Sequence, residues 1–176
     1  MKRKTIHLLG DSLIGFGSWN VLLPNYRTIN GGIPGETAHE LLRRLPPLVR
    51  GQDPDAFVVM TGTNDFLLYG QSTFTGVVRE VVAVLRDTFP ETPVVLTSLL
   101  PFMIDGTRNS IISLNDEYSL LAEKTGAVYF DLFTPFDQAE PTLFELDGVH
   151  LNRDGYLVWA QHLDLLLQRL LAKEQD

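Results

Sequence analysis

Four short apolar stretches and a weaker fifth, separated by segments with helical periodicity, constrain this chain more than any other feature. Residues 5–9, 56–60, 93–96 and 127–130 are brief and rich in apolar side chains, and residues 26–29 form the weaker candidate. Such runs read as strands buried on both faces. Turn signals precede three of them: Asp53-Pro54-Asp55, Pro90 and Gly126. Residues 36–49 carry leucines at 41, 42, 45 and 48, the spacing of one helix face. Residues 73–89 repeat the pattern with Val77, Val78, Val81, Val82 and Leu85. Residues 111–124 form a third helix that stops near Gly126, and residues 155–172 a fourth, with Leu157, Leu163, Leu166, Leu167 and Leu170. Strands alternating with helices predict an α/β fold, a parallel sheet between two helix layers. With no internal repeat, low-complexity segment or linker, residues 1–176 are expected to form a single domain.

Composition narrows the partners. At 176 residues and 44% hydrophobic content the chain is long enough to bury a core. Lysine and arginine total 14 against 22 acids, a net charge of −8 with no basic stripe. That argues against a nucleic-acid partner, because phosphate contacts need clustered cations. The absence of cysteine removes disulfides, thiolate metal sites and cysteine nucleophiles. No apolar run approaches the roughly 18 residues of a membrane span. Met1-Lys2-Arg3-Lys4 has the charge of a secretion signal, but the apolar run behind it is short and enters Gly10-Asp11-Ser12. A cytoplasmic location is the expectation.

Ligands of open α/β sheets sit beyond the carboxyl ends of the strands, so the residues just past each strand indicate the chemistry. After the first comes Gly10-Asp11-Ser12, and after the second Asn30-Gly31-Gly32-Ile33-Pro34-Gly35-Glu36. The third leads to Thr61-Gly62-Thr63-Asn64-Asp65 and the fourth to Ser98-Leu99-Leu100-Pro101-Phe102. Asp147-Gly148-Val149-His150 precedes the last helix. A serine hydroxyl becomes a nucleophile when a neighbouring histidine takes its proton, and a carboxylate commonly fixes the tautomer of that histidine. Ser12, His150 and Asp147 supply these three groups. An attacked carbonyl also needs preorganised donors for its developing charge. The Ser12 N–H, the Gly35 N–H and the Asn64 side-chain amide are the candidates.

With these blocks the chain resembles the SGNH hydrolases, also called GDSL-type esterases and lipases. Gly10-Asp11-Ser12 matches the block that carries the nucleophile. The segment from Asn30 to Thr37 matches the second block, whose last glycine, here Gly35, supplies an oxyanion-hole amide. Gly62-Thr63-Asn64-Asp65 matches the third, whose asparagine is a further donor, and Asp147-Gly148-Val149-His150 the last, with triad acid and base. Four blocks in order make a strong signal where each alone is weak. The resemblance implies a flavodoxin-like three-layer α/β/α sandwich with five parallel strands, no metal and no organic cofactor. It also implies hydrolysis of small-molecule, lipid or carbohydrate esters through an acyl-enzyme at Ser12. Pro34, directly before the oxyanion glycine, departs from the family pattern and stiffens that loop.

Other residues read more plainly. Asp11 is expected to bond turn amides, Asn30 and Thr37 to tie the loop and cap the helix, and Asp65 to act as loop scaffolding. His7, His39 and His162 fall inside a strand and two helices, where structural or solvated roles are expected. Trp19 is expected to wall the cleft. Leu13, Phe66, Leu67, Leu68, Tyr69, Phe102, Met103 and Ile104 are expected at the lid and core around it. Asn152-Arg153-Asp154-Gly155 suggests part of a calcium loop, but His150 and Gln161 stand where carboxylates belong. Gly15-Phe16-Gly17 lacks the third glycine of a dinucleotide fingerprint. Two readings stay open beside the esterase: a flavodoxin-like small-ligand binding module without catalysis, and an acyltransferase using the same site.

Overall fold

The computed structural model describes residues 3–69, 74–139 and 143–172. Strands β1 (Thr5–Gly10), β2 (Arg27–Gly32), β3 (Ala56–Met60), β4 (Val94–Thr97) and β5 (Val128–Phe130) form one parallel sheet in the order β2-β1-β3-β4-β5. The helices are α1 (Ser12–Gly15), α2 (Trp19–Leu22), α3 (Ala38–Val49), α4 (Thr63–Tyr69), α5 (Thr75–Thr88), α6 (Arg108–Thr125), α7 (Phe133–Asp137) and α8 (Arg153–Ala172). Helix α3 packs on α5 and α5 on α6, while α2 packs on α8. Right-handed crossovers put α3, α5 and α6 on one face of the sheet and leave the other to α2 and α8. This is the expected α/β fold, with the flavodoxin-like strand order.

Strands β1, β3 and β4 are buried throughout, which is why their sequence is apolar without alternation. The weak signal of β2 has a physical cause: it is an edge strand, half-exposed along its length and paired only to β1. Helix α3 starts at Ala38, two residues later than its periodicity predicts, because Thr37 and Glu40 close a capping box. It also accommodates Pro46 and Pro47, both of which are exposed. The predicted helix over 73–89 is observed as α5; its first residue, Thr73, lies outside the described residues. Four short helices, α1, α2, α4 and α7, carry too few turns for a periodic signal.

Trp19 corrects an expectation. It is not a cleft wall: its ring is buried edge-on against Tyr156 and Trp159 of α8, and its Nε1–H donates to the Ile14 carbonyl at 2.8 Å. A buried indole N–H usually finds such an acceptor, and here the Ile14 carbonyl supplies it. Helix α8 correspondingly turns Tyr156, Trp159, Leu163 and Leu167 inward, which leaves Leu157, expected in the buried stripe, 39% exposed. No helix among the described residues is long and apolar enough to cross a membrane. Trp19→Ala should destabilise the chain by about 3–5 kcal/mol, the usual range for emptying a buried aromatic site, measured by urea unfolding; a loss under about 1 kcal/mol would show that α2 is not anchored there.

Candidate active site

Strand β1 ends on Gly10, where a Cβ would collide with the carbonyl oxygen of Met60 on the neighbouring strand. The close approach requires glycine and sets where the chain turns off the sheet. Asp11 then caps α1, its Oδ1 accepting the Leu13 N–H at 3.0 Å. Ser12 becomes the first residue of that helix and is 5% exposed. Asp11 itself is fully buried. Burial pushes its carboxyl up to about 7, opposed by the Leu13 N–H and the Thr63 hydroxyl, and raised further by the charge of Asp65.

The other end of the chain reaches the same place. An isolated antiparallel bridge between Phe144 and Leu151 brackets a tight turn. Within it the Glu145 N–H donates to the His150 carbonyl at 2.8 Å and the Gly148 N–H to the Glu145 carbonyl at 3.0 Å. Asp147 Oδ1 accepts the N–H groups of Val149 and His150, both at 2.9 Å, and its Oδ2 lies 2.6 Å from His150 Nδ1. These bonds, the imidazole first, draw the Asp147 carboxyl down to about 2. An ionised carboxylate can only accept, so Nδ1 carries the proton and Nε2 presents a lone pair. Nε2 lies 2.9 Å from Ser12 Oγ, across 138 positions of sequence. The Met103 N–H, donating to the Gly148 carbonyl at 2.8 Å, ties this turn to the chain beyond β4.

A third segment frames Ser12 from the edge of the sheet. Ile33-Pro34-Gly35-Glu36 forms a turn closed by the Glu36 N–H on the Ile33 carbonyl at 3.2 Å, with Gly35 at φ +79°. Proline at the second position and a positive φ at the third are the marks of a type II turn. Pro34 thus fits the turn, and the Gly35 N–H donates no hydrogen bond among the described residues. The loop is held from three sides. Asn30 Nδ2 donates to the Gly15 and Gly17 carbonyls at 3.1 and 3.3 Å. Arg44 forms an ion pair with buried Glu36 and donates to the Gly31 carbonyl at 2.6 Å. Asn64 Nδ2 donates to the Glu36 carbonyl at 2.9 Å, which occupies one of its two amide hydrogens.

The structure therefore brings Ser12, His150 and Asp147 into one hydrogen-bonded chain and links Asn64 to the loop that carries Gly35. Asn64 and Asp65 lie in α4 and not in a turn, and Asp65 Oδ2 accepts the N–H of Ala38, the first residue of α3, at 2.9 Å. Asn152 accepts the N–H groups of Asp154 and Gly155 and so starts α8 at Arg153, two residues before the predicted start. His7 is buried and stacked on Phe57, its pKa lowered to about 4 by burial and then by Arg44. Leu13, Phe66 and Phe102 are core; Leu67, Leu68, Tyr69, Met103 and Ile104 are exposed. Among the described residues no cluster of three His, Asp or Glu side chains could hold a metal ion. Sequence reasoning did not single out Arg44, Glu36 or Tyr156, whose hydroxyl donates to the Leu13 carbonyl at 2.9 Å. Arg44 and Glu36 pair across eight positions, from a loop to a helix, and Tyr156 reaches a residue 143 positions away, so no helix or strand spacing marks them.

Asp11 yields a pH prediction. Its raised pKa means that the fold loses stability as pH climbs from about 4, the range of an unfolded carboxyl, through about 7. Asp11→Asn keeps an oxygen for the Leu13 N–H and carries no charge. The difference in Tm, variant minus wild type, should rise across that window and level off above it. A difference independent of pH would refute the burial argument.

Comparison with known proteins identifies the family. Residues 8–158 match the model of the GDSL-like Lipase/Acylhydrolase family. The human platelet-activating factor acetylhydrolase IB subunit alpha1 is 28% identical over 187 residues, covering 99% of this chain and 80% of the relative. The thioesterase 1/protease 1/lysophospholipase L1 of Escherichia coli K12 is 27% identical over 179 residues, 95% and 85% of the two chains. Among solved structures, a psychrotrophic esterase from Pseudoalteromonas sp. superposes with a TM-score of 0.78 at 21% identity, covering 96% of this chain and 99% of that one. The chain belongs to the GDSL-like lipase/acylhydrolase family, within the SGNH hydrolase superfamily, and is a hydrolase acting on ester bonds.

Proposed function

We propose that the chain is a serine esterase that cleaves carboxylic esters through an acyl-enzyme on Ser12. The observation that carries this reading is the 2.9 Å contact of His150 Nε2 with Ser12 Oγ, with Asp147 on the opposite ring nitrogen. The Ser12 oxygen attacks the ester carbonyl while its proton passes to Nε2. Asp147 stabilises the imidazolium that forms. The carbonyl oxygen, now negative, is held by the N–H groups of Ser12 and Gly35 and by the second amide hydrogen of Asn64. As the carbon–oxygen bond to the alcohol breaks, Nε2 returns its proton to the leaving oxygen. Water then attacks the acyl-enzyme with His150 again as base, releasing the acid and restoring Ser12.

The supports around this chemistry are rigid, as preorganised donors need to be. Glu36, paired with Arg44, anchors the loop from below and Asn64 from above. An acetylhydrolase and a lysophospholipase stand among the relatives, so we take the substrate to be a small-molecule or lipid ester. A serine-directed phosphonate should add its mass at Ser12 and at no other serine. Asn64→Ala should lower kcat by about 10²–10³, the usual loss for one oxyanion donor, with an unchanged circular-dichroism spectrum. An unlabelled Ser12, or turnover unaffected in Asn64→Ala, would overturn the respective assignment.

A further inference from the structure

One side of Ser12 carries a feature that ester hydrolysis as such does not require. Beyond His150 lies a groove of about 400 Å³, lined among others by Phe16, Val21, Leu22, Arg153, Tyr156 and Leu157. Phe16 is 57% exposed, Val21 71% and Leu157 39%. Isolated exposed apolar residues are ordinary, but three that line one concavity mark a binding surface. The floor is fixed: the Tyr156 hydroxyl is bonded to the Leu13 carbonyl, and its ring meets the buried Trp19 edge-on. Arg153 is the one charged residue in the lining and forms no ion pair among the described residues.

The position of the groove decides which half of an ester it can hold. In the tetrahedral intermediate the carbon bears Ser12 Oγ, the oxyanion, the acyl chain and the leaving oxygen. The oxyanion points toward Gly35 and Asn64. The leaving oxygen must lie within hydrogen-bond reach of His150 Nε2, because that nitrogen supplies its proton. The alcohol therefore emerges on the His150 side. Phe16 covers that imidazole, with ring centroids 5.3 Å apart, and also lines the groove. Phe16 thus joins the imidazole to the groove.

We propose that this groove is the alcohol subsite, binding an apolar leaving alcohol and, through Arg153, favouring an anionic one over a cationic one. The proposal rests on the serine-esterase reading. It assigns leaving-group specificity to Phe16, Val21 and Leu157, and charge preference to Arg153. Apolar contact acts on kcat/KM in proportion to the surface covered, about threefold per methylene when burial is nearly complete.

The test is kcat/KM on ethyl, butyl and hexyl acetate, which share an acyl group and differ little in leaving-group chemistry. Wild type should favour hexyl over ethyl acetate by on the order of 80-fold, four methylenes at that increment. Val21→Asp and Leu157→Asp, both at exposed positions, should collapse the ratio to under about fivefold. In parallel, Arg153→Glu should lower the preference for 4-acetoxybenzoate over phenyl acetate by about three- to tenfold, less at high salt, as an exposed charge would. A flat wild-type series, or variants that slow both alkyl esters by one factor, would overturn the alcohol subsite. So would a series from ethyl acetate to ethyl hexanoate that collapses in the same variants, since the groove would then hold the acyl chain. An unchanged aryl ratio in Arg153→Glu overturns the charge preference. Phosphonate labelling separates the two levels: Ser12 labelled with these ratios unaltered removes the groove and leaves the esterase, whereas no hydrolysis with Ser12 unlabelled removes the esterase reading itself.

Discussion

One hydrogen bond, between residues at opposite ends of the chain, sets the demands on the rest of the molecule. Ser12 Oγ and His150 Nε2 can lie 2.9 Å apart only if two unrelated turns are held to the same edge of the sheet. The strand order makes this possible. From β1 the chain moves to β2 on one side and then crosses to β3 on the other, so the loops after β1 and β3 diverge and leave a crevice between them. Ser12 lies just after β1, Asn64 after β3, and Gly35 after β2 at the edge. Gly10 lets β1 pass so close to the Met60 carbonyl that its turn starts at a fixed point. The far turn has no strand of the main sheet to hold it and relies on the Phe144–Leu151 bridge and the tie to Met103.

The carboxylates around the site illustrate how environment assigns different states to one functional group. Asp147 accepts two backbone N–H bonds and faces an imidazole, so it stays ionised far below neutral pH. Asp11, adjacent to the nucleophile, has one backbone donor and no exposure, and holds its proton nearly to pH 7. Glu36 is buried too, and Arg44 compensates for it. The pair anchors the Gly35 loop at the same time, so charge compensation and positioning are one interaction.

The surroundings of Ser12 are asymmetric. Backbone amides, Asn64 and a braced type II turn lie on one side, that of the proposed oxyanion donors. Aromatic and aliphatic side chains with one arginine lie on the other, the side of the proposed alcohol subsite. The aromatic cluster of Trp19, Tyr156 and Trp159 lies under that second side and turns part of the hydrophobic core into the floor of a groove.

Much of this was legible in the residues themselves. Strands buried on both faces need continuous apolar runs, so β1, β3 and β4 announced themselves, and the polar blocks beyond the strand ends located Ser12, Gly35, Asn64, Asp147 and His150. Local chemistry also set caps and turns: Thr37 with Glu40, Pro34 with Gly35, Asn152 before α8. These features depend on neighbours within a few positions, which a sequence contains explicitly. Whether Trp19 walled the cleft or filled the core depended on the Ile14 carbonyl together with Tyr156 and Trp159, and whether Leu157 was buried depended on which residues of α8 reached the sheet first. The bracing of the Gly35 loop by Asn64, and the groove beside His150, likewise arise from contacts between segments distant in sequence. The layers, the strand ends and the candidate site residues were already written in the residues, because periodicity and turn chemistry are local. Their distances, their charge states and the shape of the space around them came from the folded arrangement alone, because burial and long-range pairing belong to no single segment.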